Sequence, residues 1–280
     1  MTVRDGALQQ RNANHPNNGD CSMSESQRGR FVWYDLMTTD PGGAAEFYSK
    51  IAGWGTQQWE GSAAPYTMWT NQNAPLGGVM QMMPEMAGKM PPHWVGYVGV
   101  PNVDDTAAQA ESLGGKVLTP PMDIPEIGRF AVISDPQGAA IAIFSAKDDA
   151  PGHDGPPNVG EFSWHELTTT DHQSAYDFYQ KLFGWEKTGD YDMGEAGTYQ
   201  MYGHGETMYG GMWTKPADMP MPPNWLYYIH VPDADAAVER VKELGGQVLN
   251  GPMEVPGGDR IAQCLDPQGA AFAVHARRAD

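Results

Sequence analysis

The sequence predicts an α+β protein of two tandem domains. Each domain is predicted to be a pair of β-α-β-β-β modules that form curved, mostly antiparallel sheets with helices on their outer faces. Three observations predict this: a long internal repeat, a strand–helix–strand order that restarts inside each copy, and a linker-like stretch between the copies.

The internal repeat is the strongest signal. The segment from Phe31 to Trp54 matches the segment from Phe162 to Trp185 at a constant spacing of 131 positions. The spacing is 133 between Tyr66 and Tyr199 and returns to 131 further along the chain. The identical pairs include Trp33/Trp164, Leu36/Leu167, Asp40/Asp171, Phe47/Phe178, Tyr48/Tyr179, Gly53/Gly184 and Asp135/Asp266. A register held over this length predicts two homologous domains.

The domain boundaries follow from composition. Residues 1–29 are polar and lack apolar periodicity, which predicts a disordered N-terminal extension. Residues 30–145 are predicted to form the first domain and residues 161–277 the second. Residues 146–160 are rich in Pro, Gly and Asp, which is typical of a linker.

The first module opens with a strand over residues 31–38. Ala44, Phe47, Tyr48 and Ile51 then follow at helical spacing, and Gly53 is predicted to end that helix. Short strands are predicted near 54–59, 66–70 and 77–82. The order is that of one β-α-β-β-β unit.

The second module repeats this order. A strand is predicted over 93–100 and a helix over 104–113, with Gly114-Gly115 as its C-terminal cap. Strands are predicted at 116–119, 128–133 and 139–145. In the second domain the last helix carries its apolar face on Ala234, Val238, Val241 and Leu244.

Composition excludes several classes of function. The net charge of −18, from 17 basic and 35 acidic residues, argues against nucleic-acid binding, which needs clustered cations. No apolar run is long enough to cross a membrane. The two cysteines, Cys21 and Cys264, form no metal or disulfide pattern, so a reducing cytoplasm is the expected location.

Two short motifs resemble those of a known superfamily. They are Thr38-Thr39-Asp40 followed by Phe47-Tyr48, and Asp135-Pro-Gln-Gly138 before a last strand. With four modules in order, the chain resembles the vicinal oxygen chelate superfamily of glyoxalases, extradiol dioxygenases and bleomycin-resistance proteins. Pro91-Pro-His-Trp94 and Pro222-Pro-Asn-Trp225 most resemble two-domain actinobacterial members labelled hydroxylases or glyoxalase-like antigens, some of which accompany polyketide antibiotic pathways.

The resemblance also says where metal ligands would lie. Metal-dependent members take them from the concave face of the sheet. Here the corresponding positions hold Trp33 and Trp164, Val95 and Leu226, and Ala142 and Ala273, none of which supplies a ligand. A fourth position, near 80–82 and 213–215, does not align well enough to read. The sequence therefore predicts no inherited metal site and no cofactor.

Strand alternation predicts which side chains line each cup instead. The expected lining is aromatic, with small alanines and one carboxylate per cup, which favours a bulky, largely apolar organic ligand. The predicted ligand contacts are Trp33, Met37, Tyr97 and Phe144 in the first domain, Trp164, Asn224, Tyr228 and His275 in the second, and Tyr66 and Tyr199 on neighbouring strands.

Asp35 and Glu166 are the predicted acid–base residues. Burial among apolar neighbours disfavours a charged carboxylate and raises its pKa toward a useful range. The alternative is that a backbone amide, Arg129 or Arg260 binds each carboxylate and that the pair only stabilises the sheet.

Histidines could assist these acids. His93, His230 and His275 are candidate acid–base partners, with solvent-exposed strand ends as the alternative. His165 falls on the opposite face by alternation and is expected to pack near a helix.

The leading functional hypothesis is a metal-independent accessory enzyme of secondary metabolism. It would bind a bulky, largely apolar molecule such as an aromatic polyketide and move a proton in an isomerisation, cyclisation or elimination. The alternatives are a protein that only sequesters such a molecule and a metal-dependent glyoxalase or dioxygenase. The expected assembly is a monomer with pseudo-twofold domain pairing, or a homodimer.

Overall fold

The computed structural model describes residues 28–60, 66–86, 88–148 and 155–278. The predicted N-terminal extension lies almost wholly outside these residues, as do residues 149–154 of the predicted linker. The first domain consists of β1 (Phe31–Thr38), α1 (Pro41–Ala52), β2 (Gly55–Trp59), β3 (Tyr66–Asn71), β4 (Ala74–Gln81), β5 (His93–Gly99), α2 (Val103–Ser112), β6 (Lys116–Ile124), β7 (Gly128–Ser134) and β8 (Ala140–Ala146).

The second domain repeats the first, with a short 3₁₀ turn at Gly194–Ala196 added. Its elements are β9 (Phe162–Thr169), α3 (His172–Phe183), β10 (Glu186–Asp192), β11 (Thr198–His204), β12 (Thr207–Thr214), β13 (Asn224–His230), α4 (Ala234–Glu243), β14 (Gln247–Glu254), β15 (Arg260–Leu265) and β16 (Ala271–Ala276). No helix among the described residues is long and apolar enough to cross a bilayer.

Each domain contains one eight-stranded sheet, ordered β2-β3-β4-β1-β5-β8-β7-β6 in the first and correspondingly in the second. The two modules meet at the antiparallel pair β1/β5. Only β1/β4 and β5/β8 pair in parallel, and the other neighbours in the sheet are antiparallel. The predicted α+β class and the mostly antiparallel sheets are confirmed.

Helix α1 shows why the sequence folds as predicted at this point. The Asp40 carboxylate accepts the N–H of Gly43 at 3.0 Å, and Pro41 begins the first turn, where no N–H is needed. The predicted apolar residues are all buried. Gly53 ends the helix at φ 74°, a conformation that glycine adopts without strain.

Strand β6 is longer than predicted. It was predicted over residues 116–119, but it continues through Pro120 and Pro121 to Ile124. The register shifts between Thr119 and Met122, so the prolines fall in a bulge. Because β6 is an edge strand, its outer side has no partner and the missing N–H groups cost little.

The helices lie at the interface between the domains, so that one apolar core serves both. Phe47 of α1 packs edge-on against Phe272 of β16, with ring centroids 5.7 Å apart. Trp54 donates its indole N–H to the Gly160 carbonyl at 2.6 Å, and Trp185 donates to the Gly29 carbonyl at 2.7 Å. The largest cluster of buried apolar residues contains members of both domains.

Two reciprocal hydrogen bonds strengthen this pairing. The Tyr48 hydroxyl donates to Asp266 at 3.2 Å, and the Tyr179 hydroxyl donates to Asp135 at 3.1 Å. Each aspartate also holds its own turn: one oxygen of Asp135 accepts the backbone N–H groups of residues 137–139. The first helix of each domain thus completes the last turn of the other domain.

Candidate functional site

The concave face of the first sheet presents a row of three side chains at its centre. Trp33 lies opposite Tyr97, and Tyr97 lies opposite Ala142 on the next strand. These residues belong to an apolar cluster separate from the main core, together with Val32 and Phe144. We call this face the first cup and its counterpart in the second domain the second cup.

The predicted metal positions do not fit a metal. Trp33 and Ala142 lie in the central row, and Val95 lies opposite Asp35. Within residues 28–60, 66–86, 88–148 and 155–278, no three or more His, Cys, Asp and Glu side chains group so that they could hold a metal ion. Metal independence stays a prediction.

The carboxylate of Asp35 is buried in the first cup and enclosed by neutral donors. Its Oδ1 accepts the hydroxyl of Tyr66 at 2.7 Å and the indole N–H of Trp33 at 3.0 Å, while Oδ2 accepts the hydroxyl of Tyr97 at 2.8 Å. The Trp33 N–H also reaches the Tyr66 oxygen at 2.8 Å. No cation takes part in these contacts.

Burial dominates the electrostatics of Asp35. Desolvation raises the pKa of Asp35 above its ordinary value. The hydrogen bonds from the Tyr66, Tyr97 and Trp33 side chains and from the Gly78 backbone offset only part of that rise. Near the carboxylate, the pKa of Tyr97 is also well above its ordinary value, first through burial and then through the charge of Asp35. Burial and the charge of Asp35 raise the pKa of Tyr66 in the same way, so both tyrosines are neutral donors.

Glu166 occupies the same place in the second cup. Its Oε2 accepts the hydroxyls of Tyr199 at 3.0 Å and Tyr228 at 3.1 Å, and Trp164 donates to the Tyr199 oxygen at 2.7 Å. Its Oε1 accepts a long hydrogen bond of 3.3 Å from the Gln263 amide, and the Trp213 side chain also hydrogen-bonds to the carboxylate. Burial raises the pKa of Glu166 as well.

Of the alternative partners, the arginines are wrong, whereas a backbone amide is present for Asp35, which Gly78 hydrogen-bonds. Arg129 binds Asp104 and Asp123, and Arg260 binds Asp235, on the exposed surface. The buried carboxylates are held by tyrosine and tryptophan side chains instead. Neutral donors do not compensate the negative charge of Asp35 or Glu166. Burial therefore still determines that the pKa of each carboxyl group is raised.

Sequence reasoning missed two glycines on β4 and β12 that make room for these groups. A side chain at Gly78 would collide with the Tyr66 hydroxyl and approach Asp35, and one at Gly211 would collide with the Tyr199 ring. The signal was present, because Gly77-Gly78 and Gly210-Gly211 recur in both copies.

The histidines do not hydrogen-bond to the two buried acids. His93 bonds the Pro91 carbonyl at 2.9 Å. His230 is buried 5.7 Å, centroid to centroid, from the ring of His275, and desolvation lowers the pKa of His230. His275 contacts Ser163 and Asp259. The expected His93 and His230 contacts to Asp35 and Glu166 are therefore absent from the described residues.

The remaining predicted contacts line the cups in different ways. Met37 and Asn224 are half-buried on the cup faces of β1 and β13. Phe144 is buried within the apolar cluster of the first cup. Protein side chains therefore fill the floor of the first cup.

His165 lies on the opposite face, as predicted, but it contacts the other domain rather than a helix. Its ring stacks on Phe31 at a centroid distance of 3.7 Å. Because Nδ1 donates to the Tyr209 carbonyl at 2.7 Å, Nε2 is the acceptor for the Tyr34 hydroxyl at 2.6 Å. A cavity of about 280 Å³ lies beside this pair at the interface, lined by Phe31, Tyr34, Leu76, Phe162, His165 and Tyr209.

The buried His165 predicts a loss of stability in acid. Desolvation lowers the pKa of His165 from 6.5 to about 4, so the folded protein keeps the ring neutral while the unfolded chain protonates it. Stability is therefore full above pH 6.5 and falls as the pH approaches 4. Between pH 7.5 and 4.5 the loss due to this residue is about 2–3 kcal/mol.

Urea unfolding at the two pH values measures this loss. The His165→Gln variant keeps a donor and an acceptor and should lose less stability than the wild type on acidification. An equal loss in both proteins would contradict the prediction.

Comparison with known proteins places the chain. The model of the Glyoxalase/Bleomycin resistance protein/Dioxygenase superfamily matches residues 161–274, and that of the glyoxalase-like domain matches residues 32–144. The "Putative glyoxylase CFP32" of Mycobacterium tuberculosis is 34% identical over 257 residues, covering 90% of this chain and 96% of that protein. The "Anthracycline biosynthesis protein DnrV" of Streptomyces peucetius is 32% identical over 265 residues, with 90% and 94% covered.

Solved structures share the fold at low identity. The Mn(II)-bound glyoxalase from Novosphingobium aromaticivorans superposes with a TM-score of 0.58 at 17% identity, covering 89% of this chain and 82% of that one. The 2,3-dioxygenase LapB from Pseudomonas sp. KL28 gives 0.63 at 11% identity, with 90% and 94% covered. With two domain matches and relatives aligned over nearly their full length, the chain belongs to the glyoxalase/bleomycin resistance protein/dioxygenase superfamily.

Proposed function

We propose that the protein is a metal-independent accessory enzyme of secondary metabolism. It binds a bulky, largely apolar molecule of the aromatic polyketide class in its cups. A buried carboxylate then moves a proton on that molecule, in an isomerisation, cyclisation or elimination. The named relatives DnrV and DauV, both anthracycline biosynthesis proteins, support this class of substrate.

The observation that carries the proposal is the uncompensated acid in each cup. Asp35 and Glu166 are buried among neutral donors, and burial raises the pKa of both. A carboxyl group of this kind can hold a proton nearer neutral pH than an exposed one, which is what a general acid–base requires. Structural acids are usually paired with cations or exposed.

Glu166 is the stronger candidate of the two. Both oxygens of Asp35 accept a hydrogen bond of 3.0 Å or less. In Glu166 the Oε2 atom takes both tyrosine hydroxyls, and the contact from Gln263 to Oε1 is longer, at 3.3 Å. Oε1 is thus the carboxylate oxygen most available to a substrate.

The D35N/E166Q double variant tests the proposal. Anthraquinone and anthracycline compounds are offered to the protein, with tryptophan fluorescence quenching as the measure of binding and mass spectrometry as the measure of product. We expect binding within about threefold of the wild type and turnover lower by about 10²–10⁴-fold. The single variants show which cup is responsible.

Asp104→Asn is the matched control, because it removes an exposed acid that pairs only with Arg129. It should leave turnover unchanged. Unchanged turnover in the double variant, or loss of wild-type turnover in the presence of a chelator, would overturn the proposal.

A second candidate, sequestration without chemistry, is favoured by one observation. The three donors around Asp35 already satisfy its carboxylate, so the first cup needs no substrate to complete it. Tight binding by the wild type without any product would favour this candidate.

A further inference from the structure

The second cup contains a chain of three hydrogen-bonded polar side chains apart from Glu166. His275 Nε2 lies 2.9 Å from Asp259 Oδ2, and His275 Nδ1 lies 2.8 Å from Ser163 Oγ. The other oxygen of Asp259 accepts the backbone N–H of Arg278 at 2.9 Å. We call these residues the Ser163–His275–Asp259 chain.

The charge of Asp259 determines which nitrogen of His275 carries a proton in the Ser163–His275–Asp259 chain. Although desolvation raises the pKa of Asp259, the Arg278 N–H and the His275 ring outweigh it, so that the net pKa is lowered. Asp259 is then an ionised acceptor, and it holds a proton on His275 Nε2. Nδ1 then faces the Ser163 hydroxyl, which has a second acceptor in the Tyr228 carbonyl at 3.3 Å and can therefore release Nδ1 to a substrate hydroxyl.

The first domain serves as an internal comparison. The positions equivalent to Ser163, His275 and Asp259 hold Val32, Phe144 and Gly128. Val32 and Phe144 pack in the apolar cluster of the first cup, which folds with the same strand order. The fold therefore does not require the polar chain, and burying it costs free energy that apolar residues avoid.

The Ser163–His275–Asp259 chain and Glu166 lie in the same cup. His275 is two residues along β16 from Ala273, a separation of about 7 Å. Ala273 lies opposite Tyr228, whose hydroxyl donates to Glu166. Ser163 precedes Trp164, whose N–H supports the other tyrosine bound to Glu166. The side chain of His275 is 14% exposed, so a ligand above the cup floor can reach it.

We propose that His275 is a second proton-transfer group, that Asp259 positions it, and that the second cup acts on an apolar molecule bearing an enol or phenol hydroxyl. This inference rests on the proposed function. His275 Nδ1 takes the hydroxyl proton, and the O–H pair becomes a C=O bond. The C=C pair of the substrate then takes the proton of the Glu166 carboxyl group. Solvent returns the proton from His275 to Glu166, so the net reaction is a keto–enol isomerisation.

A hydroxylated probe tests His275 without requiring turnover. 2-Hydroxyanthraquinone changes its absorption when its hydroxyl ionises, and anthraquinone is the same ring system without that hydroxyl. On the wild type we expect the bound probe to ionise about one pH unit lower than in solution and to bind about tenfold more tightly than anthraquinone.

The variants are chosen from the first domain. His275→Phe introduces the residue already present at the equivalent place, and it should abolish both the ionisation shift and the preference for the hydroxylated probe over anthraquinone. Asp259→Asn should give a smaller shift, since the ring remains but loses its carboxylate. Circular dichroism confirms that each variant is folded.

The outcomes separate this inference from the proposed function. A bound probe with unshifted ionisation in the wild type, or the same shift in His275→Phe, overturns the role of His275 even if D35N/E166Q abolishes turnover. The expected probe results combined with full turnover in D35N/E166Q would instead support the hydroxyl site and overturn only the carboxylate mechanism.

Discussion

Replacing Trp54 with alanine is expected to lower the free energy of unfolding by about 3–5 kcal/mol. The side chain is 2% exposed and donates to the Gly160 carbonyl in the second domain. Its ring packs against Tyr48, Trp69 and Phe162, with centroids 5.4–5.6 Å apart. Because these neighbours come from both domains, the loss should appear in one cooperative transition of the whole molecule.

Chemical denaturation followed by circular dichroism measures this effect. Trp59→Ala is the matched control, because Trp59 is half-buried at the end of the edge strand β2 and should cost about 1 kcal/mol or less. Equal losses in the two variants, or two separate transitions in the wild type, would contradict the shared core.

Replacing Gly210 with alanine should be at least as damaging, on the order of 4 kcal/mol. An added methyl group would collide with the backbone carbonyl oxygen of His165 on the neighbouring strand. Gly210 and His165 are register partners in the parallel pair β12/β9, so relief of the collision must separate the strands. Gly77→Ala should behave alike, since it meets the Tyr34 carbonyl in the same way.

Gly42→Ala is the control for this prediction. Gly42 is exposed in α1, and an added methyl group there meets nothing closer than 3.6 Å. Alanine is a better helix former, so this variant should be neutral or up to about 1 kcal/mol more stable. A Gly210→Ala protein with wild-type stability in a urea titration would show that β9 and β12 can move apart freely.

The repeat and the alternation of apolar residues were sufficient to predict the fold. The identical pairs at a spacing of 131 positions located both domains. Helical spacing predicted Ala44, Phe47, Tyr48 and Ile51 as the apolar face of α1, and all four are buried. Strand β6 was predicted too short, and the part that was missed begins with two prolines, which only an edge strand or a bulge accommodates. Whether a strand is at an edge depends on pairing over a long sequence separation, which local patterns do not contain.

The site was predicted less completely. Alternation placed Asp35 and Glu166 on the cup face correctly, and both are buried with raised pKa values. Their partners could not be predicted, because Tyr66 and Tyr97 reach Asp35 from strands on opposite sides of β1. The polar chain was missed because Ser163 and Asp259 lie 96 positions apart and meet only through His275.

Tyr48 bonds Asp266, and Tyr179 bonds Asp135, across the domain interface. This reciprocal pattern is that of a symmetric dimer, but here both halves belong to one polypeptide. A homodimer of a single such domain would carry every substitution twice, once in each cup. In the covalently joined molecule, a serine can replace a valine on one side while the other side keeps its apolar packing. Fusion thus lets one half specialise while its partner preserves the scaffold.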